Sequence, residues 1–302
     1  QNQLLQDIDA GQQLAVTMIR ADSKLNDTDS EQDIWAQPIL PYTLANHSVS
    51  IELRDEAGRF NINNLHQGGT VDTAALEVFQ RLLTQLNLEP DIAIAVLDWQ
   101  DTDSEVYLDG GDESAVYSQQ LNRSVDGALP NQPFVSVDQL QEVQGVSAEV
   151  LATLRPYLTA VPYYLPININ TASPALLAAL IDGASSQQMQ GIVDTRSKQA
   201  LTSIDELWQL PILSGLDKKQ RAALTPLLAV DSQAFMALIT ASDNATVGQA
   251  RQRFATVLIG KNAANDSQTS NDTSGSSSDV ISGKPKEVKV VTQRLWAFRP
   301  SF

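Results

Sequence analysis

The sequence predicts an α+β fold: an N-terminal helix packed on an antiparallel sheet, with a large all-α domain inserted into that sheet. Three observations predict it. Strand-type alternation lies toward the two ends of the chain, helical periodicity fills the middle, and one amphipathic helix opens the sequence.

The opening helix follows from Leu4, Leu5, Ile8, Leu14, Ala15, Met18 and Ile19, which approximate one apolar stripe. Val49–Asp55 then alternates apolar and polar residues, the pattern of a half-buried strand. Glu56-Ala-Gly58 reads as a turn into Arg59–Leu65, where Phe60, Ile62 and Asn64 alternate as a short second strand would. From Asp72 the period becomes helical. Ala75, Leu76, Val78, Phe79, Leu82, Leu83 and Leu86 share one helix, and Pro90 opens another carrying Ile92, Ile94, Val96 and Leu97.

Beyond Pro133 come short helices separated by turn signals: Ser136–Val143, Ser147–Leu158, Ser173–Ile181, Ser186–Thr195, Ser203–Leu210 and Asp217–Leu228. Ser136-Val-Asp-Gln139, Ser173-Pro174 and Ser203-Ile-Asp-Glu206 carry the start signature, a side-chain oxygen placed to accept from an orphan backbone N–H. Strand patterning returns at Ala234–Thr240 and Arg253–Ile259, joined through an Asp243-Asn244 turn, and again at Val288–Phe298. Residues 262–283 are rich in Ser, Asn and Asp and hold too few apolar groups to pack, so a mobile loop is expected there. The predicted organisation is one discontinuous domain, 1–66 with 231–302, and one inserted helical domain, 67–230.

Composition narrows the function. The 302 residues carry a net charge of −16, which opposes phosphate binding and so argues against a nucleic-acid partner. Hydrophobic residues make up 42% of the chain, as in a globular protein. There is no cysteine, which excludes disulfides and thiolate chemistry. No apolar run reaches the length of a membrane span, and the chain opens on Gln1, so any targeting or anchoring segment is expected upstream.

The densest chemistry is Asp98–Glu113, where seven carboxylates fall within sixteen residues with no Lys or Arg between them. Such crowding is costly unless water screens it or a cation sits within it. Two explanations stand: a solvated acidic loop, or a calcium site fed by closely spaced oxygens beside a Gly110-Gly111 turn. The EF-hand ladder is absent.

Enzymatic chemistry has little to work with. His47 and His66 are the only histidines, and His66 reads as a solvent-exposed loop residue. No nucleophile elbow, zinc-binding His pair or phosphate-cradling glycine loop is present. Paired carboxylates for glycoside hydrolysis would need one acid in an apolar setting, which the acidic run does not offer. The helical block carries hairpin turns at Gln144-Gly-Val-Ser147, Asp182-Gly-Ala-Ser185 and Ser214-Gly-Leu-Asp217. These have the form of helix-hairpin-helix repeats, and a DNA-binding protein of that class is the alternative function. Each turn has a single glycine, Asp182 would repel a phosphate, and only Lys218, Lys219 and Arg221 add positive charge, so the repeats read as structural.

Five stretches in order resemble one family over nearly the whole chain. They are Gly58–Leu65, Asp98–Asp103, Gly110–Tyr117, Asn131–Leu140 and Ile167–Ala172. The family is the general secretion pathway protein K, the large minor pseudopilin of the type II secretion system. The resemblance implies a pilin-like fold with an inserted helical domain and no catalytic activity. It also implies assembly with two other minor pseudopilins, the I and J types, at the pseudopilus tip. The protein would then be the periplasmic part of an inner-membrane-anchored chain in a Gram-negative bacterium. The resemblance further implies structural calcium in the helical domain, held by Asp98, Asp101, Asp103, Asp112 and Glu113. The family's usual Gly-small-Glu-Asp order is here Asp112-Glu113.

Overall fold

The computed structural model describes residues 2–101, 132–243, 251–263 and 286–302. The chain divides into two compact units, residues 1–56 with 231–302, and residues 57–230.

In the first unit, helix Asn2–Leu25 lies on a five-stranded antiparallel sheet. The strand order is Tyr42–Leu44, His47–Asp55, Ala234–Asp243, Arg251–Ala263, Lys286–Trp296. The chain therefore leaves the sheet at Asp55 and returns at Ala234 beside the strand it left, with Asp55 opposite Phe235. The helix buries Leu4, Ile8, Ala15, Val16 and Ile19 against Val49, Ile51, the alternating Phe235, Ala237, Ile239 and Ala241, and Ala255, Val257 and Ile259. Gly11 continues that stripe because no larger residue fits: a Cβ there would stand 2.6 Å from Ile239 Cγ2. The expected stripe is narrower than the sequence suggested. Leu5 and Leu14 are exposed, and the buried line instead runs on to Asp22. Beyond Ala263, the low-complexity stretch expected at 262–283 falls outside the described residues.

The second unit buries its own core, which extends from Phe60 to Leu228. It begins at Ala57, so the expected boundary after residue 66 falls too late. The alternating strand expected at Arg59–Leu65 is also corrected. Only Phe60–Asn61 is extended, and Ile62–Leu65 is a 3-10 turn with all four residues buried. Alternation failed as a guide because these asparagines bond to backbone inside the core and do not face water.

Those bonds repeat. Asn63 accepts from the Phe134 N–H at 2.8 Å and donates to the Phe134 and Val161 carbonyls at 2.9 and 3.0 Å. Asn170 accepts from the Leu201 N–H at 2.8 Å and donates to the Leu201 and Val230 carbonyls at 2.9 and 3.1 Å. The surroundings repeat too. Phe60–Asn61 pairs in parallel with Leu158–Thr159, as Ile167–Asn168 does with Leu228–Ala229. Each second strand follows a seven-residue helix, Ala148–Leu154 or Lys218–Leu224, and a proline-containing 3-10 turn. The helical unit is thus two variations on one module, each closed by a buried asparagine. Each amide holds three main-chain groups that would otherwise be buried without partners, at a cost of about 1–3 kcal/mol apiece.

Candidate functional site

The expected acidic site begins on helix Ile92–Gln100, N-terminal to which Leu83–Leu88 closes the preceding helix. Asp98 lies on its last turn and is 8% exposed. Asp101 follows as the C-cap, its N–H bonded to the Leu97 carbonyl. The His66 imidazole Nε2 stands 3.5 Å from Asp101 Oδ1, and both side chains are largely covered. His66 is therefore no exposed loop residue: its strand partner Val71 and the adjoining 3-10 turn fix it beside the acid. Asp103, Asp112 and Glu113 lie outside the described residues.

The flanks of this region are anchored. Trp99 stacks on Phe134 with ring centroids 4.0 Å apart and planes 12° from parallel. Gln100 donates to the Ile62 carbonyl at 3.0 Å, and Phe134 is the residue that Asn63 grips. Residues on both sides of the 102–131 interval are thereby pinned to one 3-10 turn, Ile62–Leu65.

The hairpin turns show how their polar residues are used. Gly145 has φ +83° and Gly183 φ +72°, the left-handed conformation that a glycine adopts without strain. Ser147 caps the following helix by accepting from the Val150 N–H, and Asp217 accepts from the Gln220 N–H in a full capping box. Asp217 thus serves its own helix start.

A second acidic group was missed in the sequence. Asp22, Asp29 and Asp33 bring a carboxylate oxygen each to within 4.8 Å of one another, in the sheet-bearing unit. Asp22 is 1% exposed, and neither of its oxygens forms a well-aligned hydrogen bond, the Ile34 N–H acting on it only weakly. Asp29 accepts through Oδ2 from the Ser232 N–H at 2.7 Å and from the buried Lys261 ammonium. Asp33 accepts from the Ser30 N–H at 2.6 Å and from Asn26 Nδ2 at 3.2 Å. The signal was available: Asp22 extends the buried stripe one turn past Ile19, so helical periodicity carries its carboxylate under the sheet. Charge density alone points to the longer acidic run, Asp98–Glu113.

Burial, then the neighbouring Asp33 and Asp29 carboxylates, push Asp22 up to about 6, against the pull of Lys261 and a lesser one from the Ile34 N–H. Burial also raises Asp29 despite its bonds to Lys261 and Ser232. A raised folded-state value means that protonation stabilises the fold fully below the ordinary carboxylate range, and that this is lost as pH rises through about 6. In EDTA, the stability of this unit should fall between pH 5 and pH 7.5, with Asp22 contributing about 1–1.5 kcal/mol over that window. Asp22→Asn should flatten the slope in thermal melts. Parallel Tm-against-pH curves for parent and variant would contradict this.

Comparison with known proteins places these features in a family. The family described as "Type II secretion system (T2SS), protein K" matches residues 58–163 and again residues 167–231, one match for each module. Type II secretion system protein K of Klebsiella pneumoniae is 29% identical over 260 residues, covering 81% of this chain and 76% of that protein. The Pseudomonas aeruginosa protein of the same name is 28% identical over 181 residues, covering 56% of this chain and 53% of its own length. The Aeromonas hydrophila protein is 33% identical over 168 residues, 48% of each chain. The match thus spans about half the length of the latter two relatives. The fold also matches a chain of the GspK-GspI-GspJ complex from the enterotoxigenic Escherichia coli Type 2 Secretion System. The TM-score is 0.71 at 23% identity, over 98% of this chain and 96% of that one. With both modules matched, over more than half of the sequence, the chain belongs to the type II secretion system protein K family.

Proposed function

We propose that this chain is a non-enzymatic minor pseudopilin that joins the I- and J-type minor pseudopilins at the pseudopilus tip, where the complex helps initiate assembly and export of folded proteins. The observation that carries this is the fold shared along nearly the whole chain with a component of the GspK-GspI-GspJ complex. Two features of the molecule support it. Helix Asn2–Leu25 holds exposed Leu5, Leu14 and Leu25 outside the sheet core, apolar area that partner helices can cover. The buried asparagines of the helical unit are bonded to main chain, as a scaffold requires. The setting is the periplasm, with an inner-membrane anchor upstream of Gln1. Among the described residues, no helix is long and apolar enough to cross a membrane.

Co-expressed with its I- and J-type partners, the chain should elute with both as one complex in gel filtration at micromolar concentration. Leu5→Asp with Leu14→Asp should weaken that association tenfold or more while leaving the melting temperature within a few degrees. Failure of the parent to co-elute with either partner would overturn the assignment.

The hairpin turns serve as structural helix-hairpin-helix elements in this function. Structural calcium is the proposed ligand of Asp98, Asp101, Asp103, Asp112 and Glu113. The described part of that set fits a hard cation: Asp98 is a buried carboxylate and Asp101 stands one turn on, oxygen donors of the type calcium prefers. Calcium bound there would tie the end of helix Ile92–Gln100 to the residues that follow it. The melting temperature should be higher in millimolar calcium than in EDTA, and Asp101→Asn with Asp103→Asn should reduce the rise. An undiminished rise in that variant would remove these residues as ligands.

A further inference from the structure

We infer that Asp22, Asp29 and Asp33 form a second divalent-cation site, in the sheet-bearing unit and separate from the acidic stretch of the helical unit. The three acids come from the last turns of helix Asn2–Leu25, from the loop that follows, and from the N-cap of the 3-10 turn Ile34–Ala36. Asp33 makes no side-chain cap bond at that position, so its carboxylate is turned to the loop and the other acids. Oxygens within 4.8 Å of one another can share one ion, since calcium sits about 2.4 Å from each ligand.

The acids alone would not make the case. Asp22 does, because it is 1% exposed, aimed into the group, and forms no well-aligned hydrogen bond on either oxygen, the Ile34 N–H reaching it only weakly. A buried carboxylate in that condition carries the full desolvation cost of its charge unless a cation or a proton meets it. The resident ammonium is committed elsewhere: Lys261 bonds Asp29 and acts on Asp22 only through space. Asp33 and Asp29 add negative charge beside Asp22, and Asp231 adds to it at Asp29, while Lys286 bonds Asp231 at 3.3 Å. The group's oxygen-only donor set is that of a hard cation, with backbone carbonyls or water completing the shell.

An ion there would lock the end of the helix to the strands. Asp29 already reaches Ser232, at the chain's return to the sheet, and Lys261 on strand Arg251–Ala263.

The test counts calcium bound per chain after equilibrium dialysis of the full chain, by mass spectrometry. Asp101→Asn with Asp103→Asn serves as the background, so the proposed helical-unit site does not contribute. That background should retain one equivalent at pH 7.5. Adding Asp22→Asn should remove it, and adding Asp33→Asn should weaken it at least tenfold. In EDTA, the Asp22→Asn chain should melt no lower than its parent, because the variant loses only a weakly bonded charge. Terbium luminescence excited through tryptophan gives a second reading, with Trp35 two residues from Asp33. A background chain that binds no calcium, or an Asp22→Asn chain that keeps its equivalent, overturns the proposal. Neither result bears on the helical-unit site, which the parent chain and the background report separately.

Discussion

The helical unit depends on two side-chain amides. Most of its helices are short: beside the 13-residue Thr73–Gln85, Ala148–Leu154, Pro174–Ala179, Gln190–Lys198, Ile204–Gln209 and Lys218–Leu224 have between six and nine residues. Helices shorter than about 12–15 residues are marginal in isolation, so tertiary contacts must fix them. Apolar packing supplies most of the energy but little direction. Asn63 and Asn170 supply direction by gripping both polar groups of one distant residue and the carbonyl of another. Asn63 reaches across 71 and 98 positions in the sequence, and Asn170 across 31 and 60. Each grip brings the beginning, middle and end of its module together, which a short parallel ladder then aligns. Neighbouring asparagines extend the pattern, with Asn61 accepting from the Val161 N–H and Asn64 bonding both polar groups of Leu165.

The sheet-bearing unit solves a different problem. Its helix must lie close to the sheet, and Gly11 over Ile239 and Val49 permits that. The same buried stripe ends on Asp22, which places a carboxylate where a core residue would otherwise stand. Lys261 offsets part of that charge from the sheet side. The units thus differ in what their buried polar groups do. Amides close the helical modules, and charged groups join the helix end to the sheet.

Much of the fold was legible because it rests on periodicity. The strands around Val49, Ala234, Arg253 and Val288, and the helices beginning at Asp72 and Pro90, follow from alternation or from a repeating apolar face. The cap signals at Ser136, Ser173 and Ser203 marked real helix starts because their bonds are local. What stayed hidden was long-range. Phe60-Asn-Ile-Asn-Asn looked like a strand because an asparagine facing water and one gripping a buried carbonyl read the same. The twin modules differ in length between matching points, so no fixed period betrayed them. His66 was misplaced for the same reason, since nothing local shows that Asp101 stands beside it.

Hydrogen exchange of the Phe134 and Leu201 amides is the most direct test of the asparagine locks. Both N–H groups donate to a side-chain oxygen and belong to no helix or strand, so in an ordinary connecting segment they would exchange within seconds to minutes. If Asn63 and Asn170 close the two modules, both amides will rank with the slowest in the helical unit. Each will exchange only when its module opens as a whole. Exchange of either amide as fast as the exposed turn residues around it would contradict the account.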